Sequence, residues 1–246
     1  VASSHTWQQL FDLARKRFAK GVPLNDSSEQ LLITNLVSGE IWRSFPWRIS
    51  LDDIPSGSTA LVDGTQDYDP PTNIFRLTKA SIVRTDVTPN DHRELNVAGD
   101  LSVDLRKRSP YQIQAVSHQP AAGKIRLDSA VQIASGTTWE LRGEFQTNHA
   151  AITTLATAVW FDDQFSEVAL EGYLYHFYKL ADDPRAGGIV KVEHGKAQFS
   201  GQYAAFRAQI DMMAAAEEYG GEHTLAPADG SIGSDAGISI PGLYGN

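Results

Sequence analysis

The stretch 160–181, WFDDQFSEVALEGYLYHFYKLA, decides how the rest of the chain is read. At 100° per residue, Phe161, Phe165, Val168, Gly172 and Tyr175 fall on one narrow stripe, which predicts an amphipathic helix from Asp162 to about Ala181. Its second half departs from that pattern, because Tyr173, Leu174, Phe177 and Tyr178 point in other directions. A helix apolar nearly all round must be covered on several sides. These four residues are therefore expected at a subunit or partner interface. Gly172 costs about 1 kcal/mol relative to alanine inside a helix, so close backbone packing is its expected role. Asp162 and Asp163 suit the helix start as caps and as partners of the helix dipole. Asp182-Asp183-Pro184 stops the helix, since the residue before proline avoids the helical region.

A polar, glycine-containing break follows, in which Ala186-Gly187-Gly188 reads as a plain turn. A second helix is then predicted from about Ser200 to Tyr219. Phe199, Tyr203, Phe206, Ile210 and Met213 recur at steps of four, three, four and three, a clean seam. Its other faces are largely alanine, which favours helix and admits a close neighbour. Gly220-Gly221 ends it.

At the other end of the chain, Thr6-Trp7-Gln8-Gln9 reads as a capping box opening a helix with Trp7, Leu10, Phe11, Ala14 and Phe18 on its apolar face. Lys20-Gly21 closes it and Pro23 prevents continuation. Asp26-Ser27-Ser28-Glu29 starts another, with Leu32, Ile33, Leu36, Val37 and Ile41 as its apolar side. It runs out in Trp42-Arg43-Ser44-Phe45-Pro46-Trp47.

Residues 48–150 change character. Alternation in 80–84, 113–116, 124–127 and 138–145 predicts strands, separated by turn-rich stretches such as Pro55-Ser56-Gly57 and Thr88-Pro89-Asn90. Short strands at this spacing point to a compact antiparallel sandwich or barrel. The expected class is α+β: a helical bundle built from both ends of the chain, with an inserted antiparallel β domain and an extended C-terminal arm. The expected boundaries are 1–47 and 151–220 for the helical domain, 48–150 for the β insertion and 221–246 for the arm. That arm is rich in Gly, Ser, Ala and Pro and cannot build a core alone. Ile238, Ile240, Leu243 and Tyr244 are its candidate anchors on a partner.

The 246 residues carry a formal charge of −9, which argues against a protein whose main work is gripping nucleic acid. There is no cysteine, so thiol catalysis, thiolate metal sites and disulfides are excluded. No apolar run approaches the ~20 residues a membrane span needs. The seven histidines show no metal spacing such as H-E-x-x-H, and His176 inside the aromatic helix is expected to be structural. Asp162-Asp163 and Asp182-Asp183 are explained by helix starts and turns; adjacent acids on a helix point apart and do not make a catalytic pair. No G-x-S-x-G or P-loop appears. No catalytic residue, cofactor or metal is therefore expected. Arg106-Lys107-Arg108 is the sharpest basic cluster, read as a solvated loop that could meet an acidic neighbour or DNA.

The order of features resembles the head–tail connector (adaptor) proteins of tailed bacteriophages. The likeness rests on Thr6-Trp7-Gln8-Gln9-Leu10, the aromatic exit Trp42…Phe45-Pro46-Trp47, and the turn Gln66-Asp67-Tyr68-Asp69-Pro70-Pro71. It is strongest in 165–217, through Glu171-Gly172-Tyr173-Leu174-Tyr175-His176-Phe177-Tyr178 and Ala181-Asp182-Asp183-Pro184-Arg185-Ala186-Gly187. The Pro-Pro turn lacks the leucine usual before proline in that family. The resemblance implies a virion protein, made in the host cytoplasm, that forms a dodecameric homo-oligomeric ring beneath the portal protein. Its other partner would be a downstream tail or tail-terminator protein, and DNA would pass through its channel without specific binding or contact with a membrane. Two other readings stand beside it. A carbohydrate- or receptor-binding β module of a virion or secreted protein would need an exposed Trp or Tyr in a groove on 48–150. A hydrolase would need a deep pocket with converging acids.

Overall fold

The computed structural model describes residues 3–18, 26–99, 101–104, 106–193 and 196–220. In chain order the elements are α1 (Trp7–Arg17), α2 (Ser27–Ser44), β1 (Leu51–Asp53), β2 (Asp67–Tyr68), β3 (Ile74–Arg84), β4 (Asp91–Ala98) and β5 (Lys107–Arg108). They continue with β6 (Ala115–Gln119), β7 (Lys124–Leu127), β8 (Ala130–Val131), β9 (Trp139–Thr147), α3 (Ser166–Leu180), β10 (Gly188–Glu193), β11 (Lys196–Ser200) and α4 (Gly201–Gly220). The chain divides into two compact units, Pro46–His149 and Val1–Phe45 with Ala150–Asn246, called here the central and terminal units.

The expected class, a helical bundle interrupted by an inserted antiparallel β domain, is corrected. The largest element is a seven-stranded mixed sheet of order β1-β9-β3-β4-β6-β7-β2, and the helices are distributed along the chain on either side of it in sequence. The sheet is not antiparallel throughout: β4 and β6 run parallel with Val97 opposite Val116, and β5 and β8 form a separate two-stranded parallel ladder. Alternation marks a residue run as a strand, but it carries no sign of direction, which long-range pairing decides. The helices do not form a simple bundle either. α1, α2 and α4 each pack on α3, and the β10–β11 hairpin stands between α3 and α4. The extended arm, 221–246, lies outside the described residues.

In the central unit the ladder of β3 on β9 is the spine, with Ile82 opposite Leu141 and Leu77 opposite Phe145. One face buries Ile82, Ile113, Val116, Ile125, Leu127 and Leu141 in a continuous apolar core. Gln66, anticipated as part of a turn, is a buried strut: its amide donates to Leu127 O at 2.8 Å, and its Oε1 accepts from the Asp104 backbone at 3.1 Å.

The terminal unit opens as expected. Thr6 and Gln9 form the reciprocal capping box, and Asp26 caps α2 through the Ser28 N–H at 2.9 Å. On α2 only part of the expected apolar side turns inward: Ile33, Val37 and Ile41 are buried, while Leu32 and Leu36 are exposed. α3 begins later than expected. Asp163–Phe165 is a turn of 3₁₀ helix, and neither Asp162 nor Asp163 caps α3, whose N-cap position is Phe165 without a side-chain bond. Asp163 instead accepts hydrogen bonds from Ser3 and Ser4, which tie the N-terminal segment to the entry of α3.

At Gly172 side chains from α2 and α4 close over the backbone of α3. A Cβ there would lie 2.7 Å from Val37 Cγ1 and 2.9 Å from Phe206 Cε2. Gly172→Ala gains about 1 kcal/mol in helix propensity, yet overpacking of this kind costs about 1–3 kcal/mol. The expected net result is a loss of up to about 2 kcal/mol by urea denaturation. A variant more stable than the parent would show that the helices separate without cost.

Candidate interaction surface

The four α3 residues expected at an interface are mostly covered by their own chain. Phe177 is fully buried against Phe11 and Phe18, with ring centroids 5.4 and 5.8 Å away in edge-on geometry. Tyr173 is fully buried beside Phe11 at 5.3 Å, and its hydroxyl shares a hydrogen bond with Thr34 Oγ1 at 2.9 Å. Burial raises the Tyr173 phenol well above its ordinary pKa, so it stays neutral. Leu174 is buried as well. Tyr178 is half-buried between Phe18, 5.0 Å away, and the Arg185 guanidinium, 4.6 Å above its ring. An all-round apolar helix is what a helix with three helical neighbours should look like. Phe11 on α1 and Phe18 at its C-cap, seven residues apart, are the sequence signal for that internal cover. The arm positions Ile238, Ile240, Leu243 and Tyr244 lie outside the described residues.

A surface that sequence reading missed is the hairpin between α3 and α4. β10 and β11 pair antiparallel, with an irregularity between Ile189 and Lys191 that sets Val190 out of register. Ile189, Val190 and Val192 are 62%, 65% and 64% exposed. The β-branched run Ile189-Val190-Lys191-Val192 was the available signal, hidden by its brevity and its glycine-rich flanks. A two-stranded ribbon is marginal alone and leaves edges open to further pairing. Its root is rigid. Asp183 accepts from the Arg185 backbone and guanidinium at 2.8–3.0 Å. Gly187, at φ 67°, passes so close to the Ser200 carbonyl that a Cβ would collide with it. What reads as a plain turn is thus a clamp that holds the ribbon between α3 and α4.

The basic cluster is internally neutralised. Arg106 pairs with Asp104 at 2.7 Å, Lys107 with Asp63 at 2.7 Å, and Arg108 stands 3.8 and 3.9 Å from Asp104 and Asp128. Hydrogen bonds from Arg106 pull the Asp104 carboxyl down to about 2. One acid of each pair has a structural partner shown: Ser3 and Ser4 bring Asp163 down to about 2, and Asp183 holds Arg185. Among the described residues no group of three or more His, Asp or Glu side chains could hold a metal ion. No helix among them is long and apolar enough to cross a membrane.

The central unit carries an open cleft of about 1000 Å³ across β3, β4 and β9. Its charged lining is mixed, with Asp53, Lys79, Glu94, Arg142 and Glu144, and His92 lies among them. Among the described residues no Phe, Tyr or Trp lines it. Tyr68 and Trp139 are buried, and the exposed Tyr111 rests edge-on against Trp139 and donates to Asp91 at 2.6 Å. The stacking platform that a carbohydrate-binding reading requires is therefore missing from this cleft. Comparison with family models and with curated proteins finds no match to this chain.

Proposed function

We propose that this chain is a structural adaptor of a tailed-phage virion, assembling as a ring beneath the portal and joining the capsid to the tail. The observation that carries the reading is the β10–β11 ribbon, with three aliphatic side chains exposed on a rigid mount. Contiguous exposed apolar surface of this kind marks a protein contact. A ring needs a head-to-tail contact between two different patches of the same chain, and a projecting ribbon is suited to be one of them. The sequence resemblance through 165–217 supports the same assignment. A net charge of −9 suits a channel that lets DNA pass without gripping it. In this reading the chain performs no catalysis, and its partners are its own copies, the portal and a tail protein.

The test is a double variant, Val190→Ser with Val192→Ser. Both side chains are exposed, so thermal unfolding should stay within about 2 °C of the parent. Ring formation, followed by native mass spectrometry alone and with portal, should be lost. Unchanged rings from the variant would remove the ribbon from the contact. A parent chain that stays monomeric even with portal would overturn the adaptor reading.

A further inference from the structure

In the terminal unit, α2, α3 and α4 enclose a pocket of about 400 Å³ lined by Leu36, Glu40, Arg43, Ser44, His176 and Arg207. Two guanidinium groups meet one carboxylate there. Arg207 Nη1 donates to Ser44 Oγ at 2.8 Å and lies 3.8 Å from Glu40 Oε1, while its buried Nε has no partner. Glu40 Oε1 is already engaged by the Tyr203 hydroxyl at 2.7 Å. Arg43 spends its Nε on the Gly39 carbonyl at 2.9 Å, which leaves the terminal nitrogens of an exposed guanidinium to other acceptors. Asp211, one turn along α4 from Arg207, is not among the lining residues. Asp211 acts on the Arg207 guanidinium electrostatically from outside the pocket, and among the described lining residues two guanidinium groups still face a single carboxylate, although the whole chain carries −9.

The rim is apolar on one side. Leu32 and Leu36 sit one turn apart on α2, 62% and 44% exposed, and Leu36 itself lines the pocket. A planar guanidinium fork matches a carboxylate in geometry as well as in charge. We infer that this pocket receives a single aspartate or glutamate side chain from an acidic peptide segment of a partner protein, with an apolar neighbour of that residue resting on Leu32 and Leu36. Nucleic acid suits the site poorly. It would bring a row of phosphates against Glu40 and two leucines, and among the described residues Arg43 and Arg207 are the two cations that line the pocket. The inference does not depend on the ring reading, since any acidic protein segment could carry the side chain.

The test titrates the full chain with N-acetyl-Leu-Glu-amide and follows backbone and arginine Nε resonances by NMR. Saturable shifts should appear on α2 and α4, and the isosteric N-acetyl-Leu-Gln-amide should bind at least about tenfold more weakly, one charge-assisted hydrogen bond being worth that much. Arg43→Gln should weaken the glutamate peptide by a similar factor while the thermal unfolding midpoint stays unchanged, because the side chain is exposed. Leu36→Ala, a second exposed position, should weaken both peptides alike. Absence of saturable shifts, equal binding of the Glu and Gln peptides, or undiminished binding by Arg43→Gln would each overturn the site. Inorganic phosphate or a short DNA duplex binding as tightly as the glutamate peptide would overturn the carboxylate assignment.

Discussion

Replacing Phe177 by alanine is expected to lower the stability of the terminal unit by about 3–5 kcal/mol, the usual cost of emptying a well-packed aromatic site. Phe177 has no exposed surface and holds Phe11, Phe18 and Tyr173 around it. Those rings sit on α1, at its C-cap and on α3, so a cavity there loosens the contact on which the N-terminal helix depends. Against a total stability of about 5–15 kcal/mol for a typical domain, such a loss is large. Phe177→Leu, which keeps most of the volume, should cost about 1.5 kcal/mol or less, so the pair gives a graded series even if the alanine variant folds poorly. Urea denaturation followed by far-UV circular dichroism reads both. An alanine variant with the parent's unfolding midpoint but impaired ring formation would place Phe177 at an interface and contradict its burial within the chain.

Acidification should weaken the terminal unit through His176. Its ring is largely buried on α3, its Nε2 has no partner, and burial, with a smaller push from Lys179, lowers its pKa to about 4 from an ordinary 6.5. A depressed histidine pKa means that the unfolded chain binds a proton more readily than the folded one. Stability is therefore intact above pH 6.5, falls as pH drops between 6.5 and about 4, and is fully debited below that. At 1.36 kcal/mol per pH unit the loss is on the order of 3 kcal/mol. Other groups face the same region: Glu40, Arg43 and Arg207 line the pocket beside the imidazole. Burial raises the Glu171 and Asp211 carboxyls, which strengthens the folded state as pH falls and so opposes the histidine. The measurement is accordingly a difference. Stability of the parent minus that of His176→Asn, taken by urea denaturation at half-unit steps from pH 7 to 4, should fall by this amount. Parallel curves would mean that the imidazole finds a proton acceptor in the folded protein.

Features settled within one or two turns of chain were legible in the sequence. The Thr6–Gln9 capping box and the Asp26 cap form as the residues predict, and the seam of α4 buries Phe206, Ile210 and Met213 while its expected first member, Phe199, lies on β11; propensity and capping involve neighbours three or four positions apart. Gly172 was legible too, since a glycine in a helix has few uses other than close approach. The alternation in β3, β7 and β9 announced strands, but β4 escaped: Asp91, Arg93, Leu95 and Val97 share one face by alternation, and only Leu95 is buried. A strand lining an open cleft has no need of an apolar face. The parallel pairing of β4 with β6 and the mixed sheet it creates lay beyond periodicity, which is blind to direction. Charge was equally ambiguous: Arg106-Lys107-Arg108 is a basic run on paper, and Asp63 and Asp128 neutralise part of it from distant positions. The candidate interface shows the same division. Composition by itself established that the Tyr173–Tyr178 end of α3 must be covered on several sides. Only tertiary structure decided that α1, α2 and α4 supply that cover for Tyr173, Leu174 and Phe177, while Ile189, Val190 and Val192 of the ribbon are left outside. The hydrophobic effect rewards any burial without naming the partner. A contact such as Thr34 to Tyr173, 139 residues apart, exists only once the chain has folded back on itself.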